Sequence, residues 1–231
     1  VADLGSFINP VHGVDRPSGQ NAYPGLPKFK DMDNSGGIDE KDVTIIGDMN
    51  PVHTGGFNIN TTYKNFDLGL YFNWSYGNDV YNANKIEFTQ TGKYQYRNMI
   101  SDMADGKRWT NLNADGTICN DPAKLAEMNA NTTMWSPYTA RMVFSDWAVE
   151  DASFLRLKNV QLGYNFSNKV LKSIGLASLR LYVSAQNLWT WTRYTGYDPE
   201  VSTRNSSMTR GFDYSAYPKA TTYTFGVKLG L

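Results

Sequence analysis

Thr221-Thr222-Tyr223-Thr224-Phe225-Gly226-Val227-Lys228-Leu229-Gly230-Leu231 is the stretch on which the fold turns. Tyr223, Phe225, Val227, Leu229 and Leu231 share one face of an extended strand; Thr222, Thr224, Gly226, Lys228 and Gly230 share the other. Alternation at period 2 calls for an apolar medium on one side and a polar one on the other. A soluble strand resting on a core meets that condition too, so the reading rests on the company this strand keeps. Longer stretches upstream alternate in the same way and carry aromatic residues at their ends. That is the pattern of a transmembrane β-barrel, whose apolar face meets lipid and whose polar face lines the lumen.

Working outward, Phe57, Ile59, Thr61 and Tyr63 share a face, as do Phe66, Leu68, Leu70, Phe72, Trp74 and Tyr76 after a two-residue turn. Residues flanking a two-residue hairpin turn point the same way, so Tyr63 and Phe66 belong side by side. Further on, Val160, Leu162, Tyr164 and Phe166 align, but Leu155 and Leu157 fall on the opposite parity. Either a bulge near Asn159 or a strand rising out of the membrane accounts for that. Leu179, Leu181, Val183, Ala185, Trp189 and Trp191 form the next face, broken by Asn187. Its twelve steps cover about 40 Å along the strand, roughly 30 Å vertically at a barrel's tilt, enough for the apolar band. Five antiparallel strands are expected, at residues 55–64, 66–76, 153–166, 178–191 and 220–231.

The connections alternate long and short: residues 77–151 and 194–217 are long, Lys64 with Asn65 and residues 167–177 short. Barrels with short periplasmic turns and long outer loops have this order. In the first long loop, Tyr96, Met99, Ile100 and Met103 recur at helical spacing with Gly106 as a stop, and Asp121-Pro122 opens a second short helix. Otherwise the loop shows no strand alternation. Its Tyr94, Tyr96, Trp109, Trp135 and Tyr138 suit a contact surface, with the face of residues 96–103 as the first candidate.

Composition narrows the field. The 231 residues carry 22 basic and 22 acidic side chains, which offers no basic stripe for nucleic acid. There is no apolar run of about 18 residues, so no transmembrane helix is expected. A mean hydropathy of −0.48 is compatible with a barrel, because alternate residues face the lumen. Cys119 is the single cysteine, and His12 and His53 are the only histidines. Neither histidine stands in a nucleophile or metal-spaced cluster, so an enzyme is not expected.

Asp31-Met32-Asp33-Asn34-Ser35-Gly36-Gly37-Ile38-Asp39-Glu40-Lys41-Asp42 has the spacing of a calcium loop. Asp31, Asp33, Ser35, Asp39 and Asp42 supply side-chain oxygens, Gly37 a carbonyl, and Gly36 the sharp turn. A hard cation needs several oxygens gathered by one tight turn, which makes Ca2+ the expected ligand. Asp42 stands where such loops usually carry the longer Glu, and no helix signal precedes Asp31; an Asx-rich turn is the alternative.

Several ordered pieces resemble the C-terminal part of the SusC/RagA family of TonB-dependent outer-membrane transporters. They are the acidic loop with residues 43–51, the hairpin from Gly55 to Tyr81, residues 150–160, Gln186-Asn187-Leu188, residues 194–199 and residues 217–227. Residues 1–25 and most of 77–144 match poorly, and Leu231 stands where the family usually ends on Phe. The resemblance implies a barrel of about 22 strands closed by an N-terminal plug and paired with a SusD-like lipoprotein lid. It also implies import of oligosaccharides or peptides across the bacterial outer membrane, driven by the TonB complex. On that reading residues 1–231 are the C-terminal portion of the barrel, and the plug and remaining strands belong to another segment of the polypeptide. Five strands alone would leave an open apolar sheet. The rival readings are a passive porin or structural barrel, and a soluble calcium-binding, carbohydrate-binding β-protein.

Overall fold

His53–Tyr63 (β1) and Phe66–Tyr76 (β2) form the first hairpin, with Tyr63 opposite Phe66 across the turn of Lys64 and Asn65. The computed structural model describes residues 24–27, 29–36, 38–92, 96–138, 145–200 and 211–231. Asp79–Asn82 (β3), Val149–Asp151 (β4), Phe154–Asn165 (β5), Ser178–Thr192 (β6), Phe212–Asp213 (β7) and Thr222–Gly230 (β8) complete the strands. Five of them make one antiparallel sheet in the order β1-β2-β5-β6-β8. The expected strands stand within two residues of their observed ends.

Cross-strand register explains the alternation row by row. Thr61, Leu68, Leu162, Val183 and Phe225 line up across all five strands. Tyr63, Phe66, Tyr164, Leu181 and Val227 form the next row, and Ile59, Leu70, Val160, Ala185 and Tyr223 the one on the other side. Among the described residues nothing covers this apolar face: Phe225 is 81% exposed, and Ile59, Leu181, Trp189, Val227 and Leu229 are also exposed. Apolar rows facing outward are what a lipid-facing wall requires.

A bulge settles the parity of Leu155 and Leu157. Asn159 pairs with Tyr71, yet Leu157 pairs with the adjacent Phe72, leaving Lys158 as an extra residue on β5. One inserted residue turns every later side chain to the other face. Leu157 therefore joins Phe57, Phe72 and Trp189 on the apolar face, and Leu155 joins Trp74 and Trp191. On β6, Asn187 takes a left-handed backbone at φ 52°. Its amide donates to the Ala220 carbonyl at 3.1 Å, and its own carbonyl accepts from Thr221 Oγ1 at 3.0 Å. The polar break in the β6 face thus bonds the segment that leads into β8.

The chain divides into two units, Val1–Ile46 with Ala83–Ala148, and Gly47–Asn82 with Val149–Leu231. The wall belongs to the second, which also holds a small sheet in the order β4-β3-β7, with β3 and β7 parallel. It continues the β2 and β5 pair past a break: Gly77 N–H donates to Ser153 Oγ at 2.9 Å, and Ala152 N–H to the Asn78 carbonyl at 2.9 Å. Val80, Ala152 and Tyr194 make its buried core. Strand was not expected here, because runs of two to four residues are too short to show a period. The β5–β6 turn holds a helix, α3 (Asn168–Ile174), after α1 (Ala83–Glu87) and α2 (Pro122–Met128) of the first unit.

In that first unit, α2 starts as its sequence requires, with Asp121 accepting from Ala123 N–H at 2.9 Å and Pro122 opening the helix. The helix expected over residues 96–103 is reduced to one 3-10 turn, Ser101–Met103. Ile100 is extended, and its N–H donates to the Phe88 carbonyl at 3.1 Å, so a tertiary bond replaces the helical one. Met103 is buried, while Tyr96 is fully exposed. Tyr94 lies outside the described residues.

Candidate functional site

The polar face of the wall is the first part of the site. Asn60, Gly69, Gln161, Ser184 and Thr224 form one row, and Thr62, Asp67, Gly163, Tyr182 and Gly226 the next. Asp67 on β2 and Arg180 on β6 meet across β5: Arg180 donates through Nε at 3.2 Å and Nη2 at 2.5 Å, and Asn165 Nδ2 adds a bond at 3.0 Å. Gly163 makes this possible, since a Cβ there would stand 2.5 Å from both side chains. Gly226 likewise leaves room for the Tyr182 ring to lie against β8. Above this pair, Asn58, Asn60, Thr62, Tyr71 and Gln161 line a shallow groove. Its chemistry is amides and hydroxyls, and its one charge, Asp67, is neutralised by Arg180.

A second cluster sits at the top of the same face. Arg156 of β5 is 2% exposed and Asp198 is 3% exposed, and they form a two-pronged ion pair. Asp198 also accepts from Glu200 N–H at 2.9 Å and Lys219 N–H at 3.3 Å. Glu200 in turn approaches Arg156 Nε at 3.8 Å and pairs with Lys219. Burial raises the pKa of Asp198, but the hydrogen bonds and charge of Arg156 outweigh it and hold the carboxyl below the usual carboxylate range. Tyr194 donates to Asp213 Oδ2 at 2.6 Å, and burial, reinforced by that carboxylate, pushes its phenol well above the ordinary value. Glu150 holds Thr195 through its N–H and its hydroxyl, each at 2.8 Å.

The acidic loop belongs to the first unit and is a separate candidate. One carboxylate oxygen each from Asp31, Asp33 and Asp42 lie within 4.8 Å of one another. Asp31 accepts from Ser35 N–H at 3.2 Å and Gly36 N–H at 2.8 Å, and Asp42 from Met32 and Asp39 N–H at 2.7 Å each. Hydrogen bonds from the Ser35 side chain and N–H hold the Asp33 carboxyl below its ordinary pKa. Asp39 instead caps the 3-10 turn Glu40–Asp42 by accepting from Lys41 N–H at 2.8 Å. Ile38 is buried and pins the loop. Gly37 lies outside the described residues. Three carboxylates and a hydroxyl are a donor set for a hard divalent cation.

The acidic loop and the two faces are legible in the sequence, but the pairing of Arg156 with Asp198 is not. These residues are 42 positions apart and belong to different elements. The only local signal was an arginine on the polar parity between Leu155 and Leu157.

No family model matches the chain. The chain is 36% identical over 211 residues to TonB-dependent receptor P3 of Formosa agariphila, covering 89% of this chain and 19% of that protein. It is 28% identical over 230 residues to TonB-dependent receptor SusC of Bacteroides thetaiotaomicron, covering 98% of this chain and 20% of that one. The RagAB peptide importer in its open-open state superposes with a TM-score of 0.60 at 26% identity, over 81% of this chain and 18% of the importer chain. The chain thus spans about a fifth of the length of the curated relatives it matches.

Proposed function

The chain belongs to the SusC/RagA family of TonB-dependent receptors, and we propose that it supplies five wall strands of an outer-membrane importer of oligosaccharides or peptides. The observation that carries this reading is the pair of faces: uncovered apolar rows across five strands, and a polar, ion-paired surface behind them. Such a sheet is stable in lipid only when its edges are paired. The rest of the barrel and its plug therefore come from other segments of the receptor. A SusD-like lipoprotein covers the mouth, and TonB drives the plug. The test uses the full-length receptor in its outer membrane, with labelled neutral oligosaccharides and labelled peptides offered separately. Uptake of one class that stops when TonB is removed is the expected result. Uptake that continues without TonB is the behaviour of a passive porin, and overturns active import.

Two finer assignments accompany it. The first-unit segment around Tyr96 and Met103 docks against the lid; deleting residues 93–106 should weaken lid association while the barrel still assembles. The acidic loop holds Ca2+ through Asp31, Asp33, Ser35, the Gly37 carbonyl, Asp39 and Asp42, with Asp39 reaching the ion through water. Calcium titration of the receptor followed by calorimetry tests this. Heat of binding that is unchanged in Asp31→Asn/Asp33→Asn would leave an ordinary Asx turn.

A further inference from the structure

We propose that Arg156 is a positioning residue for uptake: it clamps both ends of the loop between β6 and β8 onto the polar face of the wall. Asp198 and Glu200 stand where that loop begins, and Lys219 where it ends. Asp198 and Glu200 reach one guanidinium carried by β5, and Lys219 joins them through its N–H to Asp198 and its ion pair with Glu200. Asp198 takes two bonds from Arg156 and one N–H from each end of the loop, so it ties three chain segments at one point. The entry side is fixed a second time where Glu150 of β4 holds Thr195. Between these ties Tyr197 is 83% exposed, a large aromatic side chain displayed by a pinned backbone.

A buried pair of this kind is costly to break from one side, because the remaining charge is left without a partner. The clamp therefore has two stable conditions, closed with Asp198 seated or open with both groups hydrated, and few between. Arg156 lies on the lumen parity, in the row of Asn73 and Thr190. The two ends of the loop, at Asp198 and Glu200 and at Lys219, are thus held on the inner side of the wall at its upper end. In the importer proposed above, on which the uptake part of this inference rests, that is the approach to the lumen. A loop held there sets how well substrate is captured, and does not set the rate of the later TonB-driven step.

The test compares Arg156→Met, Asp198→Asn and the exchange Arg156→Asp/Asp198→Arg in the full-length receptor in outer-membrane vesicles. The first readout is tryptic cleavage after Lys219, whose N–H the clamp holds. Arg156→Met and Asp198→Asn should each speed that cleavage by about tenfold or more, and the exchange should recover part of the protection. The second readout separates the half-saturating substrate concentration, expected to rise several-fold, from the maximal uptake rate, expected to stay. Arg156→Met that fails to assemble leaves Asp198→Asn, the milder change, to decide. Unchanged cleavage in Asp198→Asn overturns the clamp. Faster cleavage with unchanged half-saturation overturns its role in capture and leaves a brace alone. A wild-type receptor with no TonB-dependent uptake defeats the importer reading, while the cleavage result still decides the clamp.

Discussion

The wall and the small sheet above it grow from the same strands, yet they bury opposite surfaces. In the wall the large apolar side chains are outside and the ion pair of Asp67 with Arg180 is inside. A few residues past the upper ends of β2 and β5, Val80 of β3 and Ala152 are buried against Tyr194, as in a water-soluble domain. The change occurs at Gly77 and Asn78 on one side and at Ala152 and Ser153 on the other, where two hydrogen bonds carry the chain past the break. What differs is the solvent outside. Lipid removes the reason to hide Phe225, and water restores the reason to hide Val80.

The largest effect that can break this contrast is a charge on the outer face. Val183→Arg lies mid-strand in a row of Leu162 and Phe225, and should cost about 2–4 kcal/mol of barrel stability. Ser184→Arg, one residue away on the polar face, should cost less than about 1 kcal/mol. Urea unfolding of the two receptors in lipid vesicles compares them, and equal losses would mean that the two faces meet the same medium.

The upper sheet should answer to volume instead. Ala152 has no exposed surface, so Ala152→Leu overpacks its core at about 1–3 kcal/mol. The loss should appear as faster proteolysis between β6 and β8, with the heat-modifiable migration of the barrel unchanged.

Acid sharpens the comparison further. Asp198 has a folded pKa below its unfolded value, so its contribution is complete above the unfolded pKa of about 3.9 and is lost as pH falls through the folded one. Protection of the Lys219 N–H against hydrogen exchange should therefore be lost only below about pH 4. Loss near pH 6 would point to some other group. Smallest of all, Gly163→Ala places a methyl between Asp67 and Arg180. Both side chains are long enough to move aside and partly exposed, so the expected cost is no more than about 1 kcal/mol.

Much of the wall could be read directly, because a barrel strand of 9 to 15 residues repeats its period often enough to be recognised. Leu155 and Leu157 left a bulge and a rising strand equally open, since the inserted residue shows itself only in pairing. The upper sheet stayed hidden for the reverse reason: Phe212–Asp213 has no period at all, and its neighbour β3 is brought to it by tertiary contact. At the acidic loop, spacing placed Asp31, Asp33 and Asp42 together, but could not foresee that Asp39 caps the following turn.

The bulge at Lys158 has a bearing on how this gene tolerates change. Deleting that one codon would remove the bulge and leave a regular ladder, with Asn159 still opposite Tyr71 and Leu157 still opposite Phe72. Leu155 and Leu157 would stay on the apolar face and Arg156 on the polar one. Codons elsewhere in the strand can be added or removed only in pairs if the faces are to be kept, whereas the outer loops carry no such frame. Segments exchanged between receptors of this kind should therefore be joined in loops or, within β5, at Lys158, where one residue more or less keeps both faces.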